Sequence, residues 1–276
     1  ASPPAAAETE VRQKLRESAR NEWTPFAAAG PDLVTIEAQA FDAPSSPGEK
    51  LFARHNGGEF GLDVASRLEM EDYLLRFSTQ GRAIAAGDVH NDGWEDIAIT
   101  LDHAEGGFAL FANAGGQGFI RQPVHLSDLS EQMIRPVSFA DLNGDGWLDL
   151  VFSTYSRGLY VIYNAEGSFS AAPELIHDPG LGRVDNITFA DLDRNGTLDI
   201  AMGVYLTAWP KHPEEPKASR NGLLLQRSPG QFDYVALSGP PGITHTSLFS
   251  DFDQDGDVDL ITGDDFGPAD VYYLND

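Results

Sequence analysis

The 276-residue chain contains no cysteine. Disulfides, thiolate zinc sites, cysteine nucleophiles and CxxCH haem attachment are therefore excluded within it. Basic residues are scarce: 18 Lys and Arg stand against 43 Asp and Glu, for a net charge of −25. Nucleic acid and anionic membrane surfaces both demand a basic footprint, so neither is an expected partner. No apolar run approaches the ~20 residues needed to span a bilayer, and no membrane insertion is expected. The 7 His form no HxxxH or HExxH pair, and no GxSxG stretch or phosphate-cradling glycine loop occurs. Aspartate is what the chain has in excess.

Its positions are ordered. Asp251 to Asp259 reads DFDQDGDVD, with Asp at the first, third, fifth and ninth places and Gly256 at the sixth. At ~4 Å and an effective dielectric near 20, each like-charged pair costs roughly 4 kcal/mol. A tight turn holds such a set only around a cation, and Ca²⁺ takes six to eight oxygens in flexible geometry. Gly256 lets the chain turn sharply. The carbonyl of Asp257 supplies the seventh-position oxygen, and Asp259 closes the cage. Three more stretches follow the pattern: DLNGDGWLD from Asp141, DLDRNGTLD from Asp191 and DVHNDGWED from Asp88. The expected ligands are Asp88, Asp92, Trp94 (carbonyl) and Asp96 in the first loop, and Asp141, Asn143, Asp145, Trp147 (carbonyl) and Asp149 in the second. In the third they are Asp191, Asp193, Asn195, Thr197 (carbonyl) and Asp199; in the fourth, Asp251, Asp253, Asp255, Asp257 (carbonyl) and Asp259.

Each loop lies between two short apolar runs, as Ile84-Ala85-Ala86 and Ile97-Ala98-Ile99 flank the first. Successive loop starts are 53, 50 and 60 residues apart. Strand, acidic loop, strand at a near-constant period is the mark of a repeat architecture. A weaker element recurs between the loops. Leu51 to Phe60, Leu110 to Phe119, Val161 to Phe169 and Leu223 to Phe232 each suggest a strand, a hairpin with Asn or Gly, and a strand opening on an aromatic residue.

At these residues the chain resembles the FG-GAP/VCBS repeat family, found in integrin α-subunit head domains and many secreted bacterial proteins. The resemblance covers roughly residues 50–276. It implies an all-β fold, a calcium-binding β-propeller of four-stranded blades with the ion between the first and second strands. The family's propellers have seven blades, and about four to five are expected here. Two departures stand out. His90 replaces the third-position oxygen ligand, and neutral imidazole is a poor ligand for hard Ca²⁺. Asn195 replaces the fifth-position Asp but keeps an oxygen.

Residues 1–29 are expected to form a tail and a short N-terminal amphipathic helix, with Val11, Leu15 and Ala19 on one face. Residues 30–276 are expected to form the propeller. Its blades fall at about 82–126, 134–175 and 183–237, with a fourth from near 243 and an earlier one at 30–66. The stretch Val271 to Asp276 matches a third strand and the entry to its hairpin. The last blade is therefore expected to lack its outer strand, and further chain or a second subunit to complete the ring.

Six residues before each loop stand Arg82, Arg135, Asp185 and His245. If first strands line the central channel, these gather at the mouth opposite the acidic loops. They are either solvated strand starts or a polar site for a sugar, an acidic group or a partner loop. No catalysis is expected of the loops, because carboxylates around a cation are all ionised. The function expected is a protein-binding, adhesion or assembly scaffold in an extracellular, cell-surface or periplasmic setting. The alternative is a lectin or polysaccharide lyase on the same propeller, for which Arg135 with His245 is the pairing on offer.

Overall fold

The computed structural model describes residues 24–26, 36–38, 54–64, 83–101, 107–129, 132–155, 158–180, 182–206, 220–239, 243–264 and 269–275. The chain divides into two compact units, 1–55 and 56–276. The expected boundary at 29/30 falls inside the first. In that unit β1 (Thr24–Phe26) pairs antiparallel with β2 (Ile36–Ala38). The helix expected over residues 9–23 lies outside the described residues.

Among the described residues, the second unit is built of four sheets in sequence order, the blades of a β-propeller. Blade one is β3 (Ile84–Gly87), β4 (Asp96–Thr100), β5 (Phe108–Asn113) and β6 (Phe119–Gln122). Blade two is β7 (Ile134–Ala140), β8 (Asp149–Thr154), β9 (Gly158–Ile162) and β10 (Glu174–His177). Blade three is β11 (Gly182–Ala190), β12 (Asp199–Leu206), β13 (Gly222–Ser228) and β14 (Gln231–Ala236). Blade four has three strands: β15 (Thr244–Ser250), β16 (Asp259–Asp264) and β17 (Val271–Tyr273). All pairings are antiparallel between consecutive strands, as short hairpins require. The first strands of successive blades are neighbours: β3 with β7, β7 with β11, β11 with β15.

Between blades, both sheet faces are apolar. Ala98 and Leu110 of blade one share a core with Val137, Leu150, Phe152 and Ile162 of blade two. Val151, Leu159 and Val161 of blade two share another with Ile187, Ile200, Met202 and Leu224 of blade three. Central strand β8 is buried at every position, which explains its unalternating sequence. Full burial of each such side chain contributes about 1.5–3 kcal/mol. Blade four lacks this cover. Ile261 and Tyr272 occupy the register of the buried Val151 and Val161, yet with Leu248 they are exposed.

One expected strand did not form and another starts later than expected. Phe60 does not open one; Gly57–Phe60 is a 3-10 turn. Asn56 Oδ1 accepts from Gly58 N–H at 3.1 Å, and Gly61, at φ 84°, ends the turn where the other hairpins run on into strand formers. Leu62 and Val64 then pack on Ile99, Leu101, Ala109 and Phe111 of blade one. A Cβ at Gly61 would collide with the carbonyl oxygen of Phe119. Gly61→Ala is thus expected to destabilise the unit by about 1–3 kcal/mol, read by urea unfolding. In blade two Phe169 is buried in the core, and the outer strand begins only at Glu174. Pro173, with no N–H for the ladder, delays it.

Candidate metal centres

The four acidic loops share one backbone design. Positions four and six are both left-handed: Asn91 and Gly93 (φ 52° and 87°), Gly144 and Gly146 (74° and 87°), Arg194 and Gly196 (56° and 86°), Gln254 and Gly256 (66° and 95°). Sequence reading singled out only the sixth. Two left-handed residues curl the chain so that its N–H groups point inward onto the first-position carboxylate. Gly93, Gly146, Gly196 and Gly256 donate to Oδ2 of Asp88, Asp141, Asp191 and Asp251, at 2.8, 2.9, 2.9 and 3.1 Å. The fifth-position oxygens each accept from the seventh-position N–H: Asp92 from Trp94, Asp145 from Trp147, Asn195 from Thr197, Asp255 from Asp257.

The ninth-position residues Asp96, Asp149, Asp199 and Asp259 are fully buried. One oxygen of each accepts from the N–H of the second loop residue: Val89, Leu142, Leu192 and Phe252. The other accepts from the N–H at the third strand's end: Asn113, Asn164, Gln226 and Asn275. In blades one to three that residue's side-chain oxygen accepts from a hairpin glycine, and its amide donates back to the eighth loop residue, Glu95, Leu148 or Leu198. Asn164 also reaches the Val89 carbonyl of blade one at 2.8 Å. The clamp thus ties the loop to two strands, and in blade two to the neighbouring blade. Its Asn or Gln was visible in the sequence only as hairpin chemistry.

In two loops the carboxylates converge. Asp191, Asp193 and Asp199 bring one oxygen each within 4.8 Å of one another, and so do Asp251, Asp253 and Asp259. These are the only such groups among the described residues. Asp255 and Asn195 bind backbone instead, and Arg227 pairs with Asp193 at 2.9 Å. Arg194 of the third loop bonds the Gly256 carbonyl and the Asp257 carboxylate of the fourth. In the second loop the Asn143 amide donates to Asp145 Oδ2 at 2.8 Å. In the first, His90 Nδ1 lies 2.8 Å from Asp96 Oδ2, occupying a lone pair a cation would use.

Burial pushes the Asp149 carboxyl up to about 6, with Asp145 and Asp141 adding to the rise against the Asn164 and Leu142 N–H groups. Burial also raises Asp199, whereas the N–H of Asn275 lowers Asp259. A raised carboxyl favours the folded state fully only below its ordinary value, and that contribution is lost as pH rises through 6. Carboxyl-carbon NMR of chelator-treated protein is expected to show Asp149 titrating near pH 6, and well below that once a cation is added.

At the far ends of the first strands, Asp185 and His245 are brought together: His245 Nδ1 lies 2.6 Å from Asp185 Oδ2. Arg82 lies outside the described residues. The backbone carbonyl of Arg135 accepts from Ser153 Oγ. The guanidinium set on Asp185 is that of Arg183, missed in the sequence because it precedes the counted position by two.

The FG-GAP-like repeat model matches residues 88–152 and 141–202, two copies that begin and end on the acidic loops and their second strands. Residues 88–202 carry FG-GAP-like repeats. Among curated proteins, integrin alpha-3 of Cricetulus griseus is 27% identical over 176 residues, 54% of this chain and 17% of its own length. Cartilage acidic protein 1 of Xenopus tropicalis is 26% identical over 212 residues, 73% of this chain and 31% of its own. The chain thus spans under a third of the length of either relative. A solved structure, described as recognition of non-reducing terminal N-acetylglucosamine by an Agrocybe aegerita lectin, aligns with a TM-score of 0.48 at 20% identity over 71% of this chain and 50% of that one.

Proposed function

We propose that this FG-GAP-like propeller is a calcium-stabilised scaffold that works outside the cytosol and presents its loops to a protein partner. The observation carrying this reading is the pair of three-carboxylate groups at Asp191/Asp193/Asp199 and Asp251/Asp253/Asp259 on loops of one backbone design. Side chains and carbonyls at positions one, three, five, seven and nine offer oxygen alone, a donor set for a hard cation. Flexible mixed coordination by carboxylates, amides and carbonyls suits Ca²⁺ better than the rigid octahedron of Mg²⁺. The cation would relieve the repulsion of converging carboxylates and join the loop to its second strand. In the second loop Asp141, Asn143, Asp145 and Asp149 would hold it, with the Trp147 carbonyl. The first loop, with His90 on Asp96, is the weakest.

Exposed sites of this kind fill where calcium is abundant, which supports an extracellular, cell-surface or periplasmic setting. The apolar Leu248, Ile261 and Tyr272 face of blade four continues the surface that a following blade covers in blades one to three. A further blade, in the same chain or a second subunit, is its natural cover.

Calorimetric titration of stripped protein with CaCl₂ tests the reading. Heat of binding is expected, reduced by one site each in Asp193→Ala and Asp253→Ala. Absence of calcium uptake by folded protein would overturn it.

A further inference from the structure

The acidic loops of neighbouring blades are not all joined alike. At position four, the Asn91 amide of the first loop donates to the Gly146 carbonyl of the second at 3.1 Å. The Arg194 guanidinium of the third loop donates to the matching carbonyl of the fourth, that of Gly256, and pairs with the Asp257 carboxylate. A second link runs the other way, from the end of a blade's third strand to position two of the preceding loop. Asn164 Nδ2 donates to the Val89 carbonyl at 2.8 Å, and Asn275 Nδ2 to the Leu192 carbonyl at 3.2 Å. Among the described residues, the junction between loops two and three has neither link. Position four is Gly144 there, with no side chain to reach across. The third strand of blade three carries Gln226 in place of Asn, and its amide donates within its own blade to the Leu198 carbonyl. The four loops thus stand as two latched pairs with a break between them.

Each link ends on groups that hold the proposed ligands. The Gly146 carbonyl and the Trp147 N–H belong to one peptide, and that N–H donates to the fifth-position Asp145 at 2.8 Å. The same peptide of the fourth loop donates through the Asp257 N–H to Asp255 at 2.8 Å. Accepting a bond at its carbonyl polarises a peptide and strengthens its N–H as a donor. At the second link, the Leu192 N–H donates to Asp199 Oδ2 at 2.8 Å, while the Asn275 N–H donates to Asp259 Oδ1 at 3.0 Å. With the Asn275 amide on Leu192, hydrogen bonds through two residues connect the ninth-position carboxylates of loops three and four. Val89 and Asn164 connect Asp96 to Asp149 in the same way.

Ordering one loop around a cation removes part of the ordering cost of the loop latched to it, which is positive coupling. Repulsion between bound cations opposes this, but it acts at all three junctions and does not distinguish them. We propose, resting on the calcium-scaffold reading, that cation binding is positively coupled within the loop pairs one–two and three–four and not across the junction of two and three. Asn91 and Arg194 at position four, with Asn164 and Asn275 at the strand ends, are the residues that carry the coupling.

The test reads each loop through its own position-six amide, those of Gly93, Gly146, Gly196 and Gly256, in ¹⁵N-glycine-labelled protein titrated with CaCl₂. Asn195→Ala removes a ligand atom from the third loop, which has a latched neighbour on one side and an unlatched one on the other. The Gly256 midpoint is expected to move to higher calcium by about fivefold or more, while that of Gly146 does not rise. Asp145→Ala in the second loop mirrors this, raising the Gly93 midpoint and not that of Gly196. The two variants lie in different blades, so if one fails to fold the other decides. In an Arg194→Gly background, which gives the third loop the residue carried by the second, the effect of Asn195→Ala on Gly256 is expected to shrink. A Gly146 midpoint that rises as far as that of Gly256, or no rise at either, would overturn the proposal. If no glycine amide of the unaltered protein responds to calcium, the scaffold reading falls, and hydrogen exchange in chelator then decides the coupling alone. There Asn195→Ala is expected to speed exchange at Gly256 and not at Gly146, and equal or absent speeding would overturn it.

Discussion

Chelating divalent cations is expected to lower the melting temperature of the propeller unit by about 5–11 °C for each loop emptied. The figure follows from mass action. A ligand at a hundred times its dissociation constant stabilises the folded state by about 2.7 kcal/mol per site. For a domain of 150–250 residues each kcal/mol moves the melting temperature by about 2–4 °C. The loops starting at Asp191 and Asp251, where three carboxylates already converge, should dominate. Replacing His90 by Asp should enlarge the effect, because it restores a third-position oxygen and releases Asp96. Scanning calorimetry with EGTA, and with calcium restored, reads both.

Asp149→Ala is expected to cost about 2–6 kcal/mol even in chelator. Asp149 is fully buried and accepts from the N–H groups of Leu142 and Asn164 at 2.9 Å each. Removing it leaves two buried donors without partners, at about 1–3 kcal/mol apiece. Asn143→Ala touches only exposed groups and should matter only when calcium is present. The two variants, unfolded in urea with and without EGTA, separate the ninth position from the third. The ninth is a hydrogen-bonding hub of the blade as well as a proposed ligand. If Asp149→Ala loses stability only in calcium, the hub account is wrong.

The blades were legible in the sequence because their marks are local: an acidic loop between two apolar runs, then Asn or Gly before an aromatic. The three-stranded last blade could likewise be expected from the match of Val271 to Asn275 with earlier third strands. Where the same local mark meets a different continuation, the reading fails. Phe60 is followed by Gly61 and winds into a turn, and Phe169 is followed three residues on by Ala172-Pro173 and turns into the core. The acidic loops were legible as candidate ligand sets but not as hydrogen-bond hubs. The Asp149–Asn164 link spans 15 residues, and no residue type announces it. Nor does spacing reveal Arg183, whose place beside Asp185 and between two tyrosines depends on two blades meeting.

Anomalous diffraction from crystals grown in calcium tests the central claim most directly. Peaks are expected in the loops starting at Asp141, Asp191 and Asp251, with oxygens of positions one, three, five and nine and the seventh carbonyl at about 2.3–2.6 Å. Arg227 would then release Asp193, or share it with the ion. Loops without peaks, with Asp193 still held by Arg227, would contradict the account.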